Sequence, residues 1–324
     1  MKAVVATRYG SPDILEIREV PKPQPAANEV CIRIYATTVN RTDVATLRAV
    51  PFFMRLATGL IRPKQLVLGS EFAGEIEEIG EDVSEFKVGE RVFGIKEDSF
   101  GTHAEYMTMP ENSTLAIIPE NISYELAAAS SEGAFYAYNF INKVHIKSRQ
   151  RALVNGASGA IGSAIVQLLK RLDIDVTATC KTKDVALVKS LGASHVIDYS
   201  QEDFTKSELV FHYVFDAVGK SSFFKCKHLL LPKGVYISSD LGFMAQNLYL
   251  PLLTPLFKSL LDRKRTVFPI PTHCKEIIFF MRQLLINGEF KPVIDKTYPM
   301  DQIIDAYHYV ETGQKIGNVV ITIP

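Results

Sequence analysis

Val30, Ile32 and Ile34 alternate with Cys31 and Arg33 in "VCIRIYATTV", the two-residue period of a half-buried strand. Similar short runs, "EFAGEIEEIG" and "GERVFGI", follow before residue 120, and glycines at 69, 74, 80, 89 and 94 punctuate them. This texture predicts a compact β domain with tight turns. From about Tyr124 the pattern changes. Helical stretches such as "SYELAAASSEGAFYAYNFI" alternate with the strands "RALVNGA", "DVTATC", "HVIDY", "YVFDAVG" and "GVYISS". Strands interleaved with helices predict an α/β domain with a parallel sheet covered on both faces. After Gly288 short elements return: "FKPVIDKTYP", a helix "MDQIIDAYHYVETG" and a last strand "NVVITI". The expected organisation is a β-rich domain from residues 1–121 and 291–324, with a nucleotide-type domain over 122–290 inserted in it.

With 324 residues, two domains are the natural expectation. Lys plus Arg and Asp plus Glu number 36 each, so no global basic field invites nucleic acid. A small-molecule enzyme fits better. The N-terminus lacks the apolar core of a secretory signal, and no apolar run reaches membrane-spanning length. The nearest approach, Asn247 to Arg265, carries two prolines and a charged end. It reads as a helix covering a pocket or interface, with contact to a membrane surface or partner as the alternative. The cysteines at 31, 180, 226 and 274 have no zinc-ligand spacing and read as reduced thiols. A cytoplasmic protein is the resulting expectation.

The chemistry concentrates in "ALVNGASGAIGSAIVQLLKRL", Ala152 to Leu172. An apolar β-branched segment runs through Gly156, Gly159 and Gly162 into a helical stripe of Ile161, Ile165, Leu168, Leu169 and Leu172. Such a turn lets the backbone approach a pyrophosphate and offers it the N–H groups of a helix N-terminus. A turn between strand and helix with no ligand is the plain alternative. The next strand ends in "TCKTKD". A carboxylate there would hold the 2′-hydroxyl of NAD; Cys180, Lys181, Thr182 and Lys183 favour the 2′-phosphate of NADPH instead. Lys181 and Lys183 as ordinary solvated charges remain the alternative.

Together, "GASGAIG", "LVKSLGASHVIDY", "FDAVG" and the terminal "GNVVITI" resemble the medium-chain dehydrogenase/reductase superfamily. Upstream, "VNRTD", "LGSEFAGEIEEIG", "VGERVFG" and "HAEY" are similar, in the same order, to its GroES-like catalytic domain. The resemblance spans nearly the whole chain and implies a GroES-like domain joined to a doubly wound Rossmann domain. It is nearest to the zinc-independent, quinone oxidoreductase-like branch. Zinc members carry a Cys shortly before a Thr-Asp pair and a Gly-His-Glu motif. Here Asn40 and Arg41 precede Thr42 and Asp43, and the other motif reads Gly69, Ser70, Glu71. No metal is therefore expected, and the lone His103 reads as structural.

By that resemblance the cofactor contacts are Gly156, Ala157, Ser158, Gly159, Ala160 and Ile161 at the pyrophosphate. Cys180, Lys181, Thr182 and Tyr199 belong to the adenosine end, followed by Val218 and Gly219. Ser238, Ser239, Asn318 and Asn40 belong to the nicotinamide end. Tyr199 also reads as a plain strand-end aromatic. Departures from the family are Ala45, where a Tyr is common, and Tyr136, where a small Thr is usual. The Tyr136 phenol reads as a proton donor or as pocket filling. Asn40, Tyr136 and Asp43 are the candidate catalytic residues, with an Arg41–Asp43 pair reading as a structural salt bridge.

The implied activity is zinc-independent, NADPH-dependent hydride transfer to an apolar quinone or α,β-unsaturated carbonyl. An enoyl thioester reductase of the same fold, or a catalytically idle NADPH-binding sensor or structural protein, are the alternatives. A short-chain reductase is excluded because no tyrosine has a lysine four residues later. A homodimer is compatible with the apolar stretch near Tyr249 to Leu261.

Overall fold

The computed structural model describes residues 1–96, 100–257, 259, 261–269 and 274–324. The chain divides into two compact units, Met1–Glu132 with Cys274–Pro324, and Gly133–His273. The first segment carries β1 (Lys2–Val5), β2 (Glu16–Glu19), β3 (Glu29–Val39), β4 (Glu71–Ile79), β5 (Arg91–Ile95), β6 (Tyr106–Pro110) and β7 (Leu115–Ile117). Its helices are α1 (Arg41–Arg48), α2 (Arg55–Thr58) and α3 (Tyr124–Ala129). The alternation read in residues 30–34 is real on one side of β3, where Val30, Ile32 and Ile34 enter the core; Cys31 is buried as well, because β3 is flanked along its length.

The second unit opens with α4, Glu132–Asn142, whose first residue closes the preceding unit. It continues through β8 (Arg151–Asn155), α5 (Ala160–Arg171), β9 (Asp175–Cys180), α6 (Val185–Ser190), β10 (His195–Asp198) and β11 (Phe211–Asp216). It ends with α7 (Phe223–Cys226), β12 (Leu230–Ser238), α8 (Gln246–Leu253) and β13 (Arg265–Val267). All six strands are parallel, in the order β10-β9-β8-β11-β12-β13. The order reverses at β8, so the chain leaves that strand at a topological switch point, where open α/β sheets bind ligands. Leu153, Val154, Val176, Ala178, Val214 and Phe215 are fully buried, the composition of a sheet covered on both faces.

The stretch from Asn247 to Arg265 is not one helix. Pro251 lies inside α8, a short 3-10 turn covers Thr254–Phe257, and residues 258 and 260 lie outside the described residues. Leu250 is buried while Leu252 and Leu256 are each 75% exposed. No helix among the described residues is long and apolar enough to cross a membrane.

The chain then returns to the first unit through α9 (Cys274–Ile286), β14 (Ile294–Pro299), α10 (Ile303–Glu311) and β15 (Asn318–Thr322). β15 pairs antiparallel with β3 and parallel with β14, completing a seven-stranded sheet ordered β14-β15-β3-β4-β5-β7, with β6 on β3. The unit boundaries differ from the residue ranges read in the sequence. Helices α3 and α9 pack on strands of the first unit, α3 on β3, β4 and β15 and α9 on β7, although both lie within 122–290. Cys31, Cys180 and Cys226 are buried and unpaired, and burial pushes each thiol up to about 11. They are inert as nucleophiles at neutral pH. The side chain of Cys274 lies outside the described residues.

Candidate active site

The glycine turn sits at the C-terminal end of β8, held by side chains from three neighbouring strands. Asn155 Oδ1 accepts from the Thr179 hydroxyl (2.7 Å), and the Thr179 oxygen in turn accepts the Gly156 N–H (3.1 Å). Asn155 Nδ2 donates to Asp216 Oδ1 (3.0 Å). The buried Asp216 carboxylate also collects the N–H groups of Val218, Gly219 and Ser221 and the Tyr236 hydroxyl. Five donors on one carboxylate fix the 217–221 turn beside the glycines. Nothing in the sequence pattern singled out Asn155, Thr179 or Asp216. The signal was available: each is a buried polar residue in the last two positions of a largely buried strand.

The glycines differ in what they do. Gly156 has φ +81°, and a Cβ there would lie 2.3 Å from Val218 Cγ1. At Gly162 a Cβ would meet the Gly156 carbonyl oxygen at 2.1 Å, so this glycine lets α5 close on the turn. Gly159 is the N-cap of α5 and no side chain caps that helix. Its nearest atom to a hypothetical Cβ, the Gly156 oxygen, is 3.5 Å away. Ser158 to Ile161 are half-buried, and no side chain caps the first-turn N–H groups of α5. These are the features a pyrophosphate requires: donors, a positive helix end and no side chain in the way.

The other residues assigned to this end of the sheet do gather there. Cys180 ends β9, Thr182 follows it, Tyr199 follows β10, Val218 and Gly219 follow β11, and Ser238 ends β12 with Ser239 next to it. Cys180 is fully buried and Ser238 nearly so, its oxygen accepting the Asp240 N–H. Lys181 and Ser239 are half-buried, and Thr182 and Tyr199 are exposed. One neighbour was missed: Asp198, at the end of β10, whose Oδ2 accepts the Thr182 hydroxyl at 2.6 Å. Hydrogen bonds from Thr182 and Ser200 hold this exposed carboxyl below its usual range. Tyr136 is half-buried on α4, edge-on to Phe135 at 5.9 Å.

In the first unit, Asn40 leaves β3 and caps α1 in a reciprocal box. Its Oδ1 accepts the Asp43 N–H (2.9 Å), and its own N–H donates to Asp43 Oδ2 (3.0 Å). That pins the Asn40 amide so that Nδ2 donates to Ser70 Oγ (3.1 Å) and to the Glu132 carboxylate. Thr42 donates to Glu132 Oε1 (2.9 Å), the Glu132 N–H donates to Glu71 Oε2 (2.7 Å), and the Thr38 hydroxyl donates to Glu71 Oε1. Burial pushes Asp43 up to about 8, raises Glu71, and with the charges of Glu71 and Asp43 raises Glu132 well above the carboxylate range. Lys315, lowered by burial, is the cation that Glu71 and Glu132 feel. Glu71, Glu132 and Lys315 were not identified as site residues from the sequence.

Asp43 is fully buried and closes the helix cap, so it acts on Asn40 rather than facing outward. Asn318 lies one step beyond the Val319–Val39 pair, at the same end of the strands as Asn40. Its Nδ2 is engaged by the carbonyls of Ala129 and Val293. His103 is structural: Nε2 donates to the Thr38 carbonyl (2.8 Å), Nδ1 accepts from Tyr307, and burial lowers it to about 4. Among the described residues no group of three His, Cys, Asp or Glu is arranged to hold a metal.

Comparison with known proteins agrees with this architecture. Residues 26–120 match the alcohol dehydrogenase GroES-like domain, and residues 191–321 match a domain described as zinc-binding dehydrogenase. The 2-methylene-furan-3-one reductase of Solanum lycopersicum is 32% identical over 99% of this chain and 79% of its own length. The chain belongs to the medium-chain dehydrogenase/reductase superfamily, in its quinone oxidoreductase-like branch. It is an oxidoreductase. The chloroplastic NADPH-dependent alkenal/one oxidoreductase of Arabidopsis thaliana is 28% identical, over 99% of this chain and 79% of that one. The quinone oxidoreductase structure from Coxiella burnetii superposes with a TM-score of 0.86 over 100% of this chain and 99% of its own, at 24% identity. At that identity the match speaks for the fold.

Proposed function

We propose that this oxidoreductase is a reductase that uses NADPH, without a metal, to reduce an apolar α,β-unsaturated carbonyl or quinone. The observation that carries the reading is the uncapped α5 N-terminus behind Gly156, Gly159 and Gly162 at the sheet's switch point. The tomato and Arabidopsis relatives, named for an enone and for alkenals and alkenones, support the substrate class. When bound, the nicotinamide supplies the hydride; the protein's residues bind, orient and manage charge.

On this reading the N–H groups of Ser158, Ala160 and Ile161 receive the pyrophosphate, while Gly159, whose own N–H donates to the Gly156 carbonyl, keeps the approach open. Lys181 and the Thr182 hydroxyl receive the 2′-phosphate, with Tyr199 beside the adenosine. Asp198 opposes the phosphate, being a carboxylate hydrogen-bonded to Thr182. The preference for NADPH therefore rests on Lys181 outweighing Asp198, helped by the hydration of exposed charges. Ser238, Ser239, Asn318 and Asn40 serve the nicotinamide end. Asp43 is a positioning residue, because its box with Asn40 leaves the amide one orientation. Tyr136 forms part of the substrate wall.

Reduction by this route suits a cytoplasmic enzyme. The exposed apolar side chains of Leu252 and Leu256, with the edge strand β13, suit a homodimer. Paired fluorescence titrations with NADPH and NADH at two salt concentrations, followed by turnover with enone, quinone and enoyl-thioester acceptors, test the proposal. Tighter, salt-sensitive NADPH binding and enone turnover are expected. Binding of neither cofactor would overturn it, and binding without turnover would favour an idle sensor.

A further inference from the structure

Reduction of an enone takes one proton for every hydride, and the first unit contains an unusual store of them. Asp43 and Glu71 are 0% and 1% exposed, and Glu132 is 9% exposed. Their charges act on one another, with Lys315 as the facing cation and Arg41 repelling Lys315. Three ionised carboxylates against one ammonium would leave two negative charges out of water, which burial forbids. Protons therefore remain on the group at neutral pH.

The three acids differ in their access to the surface. Asp43 is enclosed by the α1 cap, and Glu71 by Thr38 and the Glu132 N–H. Of the three, Glu132 is the one bonded to a half-buried hydroxyl, that of Thr42; the hydroxyl on Glu71, from Thr38, is buried. The Thr42 hydroxyl can accept a proton from a neutral Glu132 and pass its own outward. Once ionised, Glu132 is met by donors on both oxygens, Thr42 on Oε1 and Asn40 on Oε2, with Ser70 3.5 Å from the latter. Burial favours the acid before transfer, and these donors stabilise the anion after it.

We propose that Glu132 is the proton source of the reduction, acting through the Thr42 hydroxyl. The inference rests on the reductase reading above. Hydride added to the β-carbon pushes the double-bond electrons toward the carbonyl, leaving the substrate an enolate. Thr42 gives its hydroxyl proton to the enolate and takes the Glu132 proton in the same event. The saturated ketone leaves, and water reprotonates the Glu132 carboxylate. Thr42 is the group that touches substrate; Glu132 supplies it from behind.

The test is steady-state reduction of an aliphatic enone with NADPH by the wild type, Glu132→Gln, Thr42→Val, Thr42→Ser and the Gln/Val double variant, between pH 5.5 and 9.5, with NADPH titrations alongside. Glu132→Gln and Thr42→Val are expected to bind NADPH within about twofold of wild type and to lose about 100-fold in kcat. The alkaline fall of wild-type kcat disappears in Glu132→Gln. Thr42→Ser restores activity, and the double variant is no slower than the worse single one, because both break one path. Valine has the shape of threonine, so this arm reads the hydroxyl even if Glu132→Gln folds poorly. An active wild type with Thr42→Val within threefold of it, and with the alkaline limb intact in a folded Glu132→Gln, overturns the inference alone. A wild type that binds NADPH and reduces no enone or quinone overturns the reductase reading, and this inference falls with it.

Discussion

Gly159→Ala and Gly162→Ala separate what the turn does for the fold from what it does for the cofactor. At position 162 the new methyl lies 2.1 Å from the Gly156 oxygen, 2.8 Å from the Gly156 carbon and 2.9 Å from the Ala157 Cα. All three atoms are backbone, held by the Thr179 hydrogen bond to the Gly156 N–H. Restoring a 3.4 Å contact requires α5 to retreat by roughly 1.3 Å from strand β8, the difference between 3.4 and 2.1 Å. Overpacking against three backbone atoms costs about 2–3 kcal/mol, the upper part of the usual range, against a helix-propensity gain of about 1 kcal/mol for alanine over glycine. A net loss of about 1–2 kcal/mol should lower Tm by about 3–8 °C. Gly159 has φ −76° and its added methyl meets nothing closer than 3.5 Å, so Tm should fall by only about 1–3 °C, from the poorer N-cap. The binding assay should show the other half. Gly159→Ala should weaken NADPH at least tenfold by placing a methyl where the phosphate approaches, while Gly162→Ala loses both stability and binding. Thermal denaturation of the free protein and NADPH fluorescence titration read the two effects. Unchanged NADPH affinity in Gly159→Ala would refute the phosphate assignment, and an unchanged Tm in Gly162→Ala would refute the tight closure of α5.

The remaining predictions concern charge. Lys181→Ala should weaken NADPH about tenfold and spare NADH, whereas Asp198→Asn should tighten NADPH; equal loss for both cofactors in Lys181→Ala would show that it does not read the 2′-phosphate. Asp43 is raised in the folded protein from 3.8 to about 8, so its contribution to stability is complete below pH 3.8 and is lost as pH rises toward 8. Denaturant titrations of Asp43→Asn should show a flatter decline over that window, since the amide still accepts from the Asn40 N–H. His103 is shifted the other way, from 6.5 to about 4, so its unfolded form takes up a proton first and stability is lost as pH falls from about 6.5 toward 4. The full shift is worth about 3 kcal/mol at 1.36 kcal/mol per unit, and His103→Gln should lack that acid slope.

The glycine turn was legible because its requirements are local: a positive φ at Gly156 and a close approach at Gly162 leave their mark in residue type. The succession of strands and helices was legible for the same reason, through period and punctuation. What pairing across the sheet creates was not. Asp198 reaches Thr182 only because β10 lies beside β9, and the Asn155–Thr179–Asp216 network needs three strands whose order is not their order in sequence. Glu132 and Glu71 are 61 residues apart, joined where the turn before α4 meets the start of β4. An acid inside the apolar "AAASSEGAF" was the available clue. The 247–265 stretch misled by composition, since Pro251 interrupts a hydrophobicity that suggested a single helix.

The central claim is hydride transfer from NADPH to an activated carbon. Its most direct measurement uses NADPH deuterated at the nicotinamide C4 with an aliphatic α,β-unsaturated ketone, with the product analysed by mass spectrometry and NMR. The account predicts the saturated ketone with one deuterium on the β-carbon, from the transferable face of the cofactor. Cofactor that binds but is never consumed, or a product whose β-carbon carries only solvent hydrogen, would contradict it.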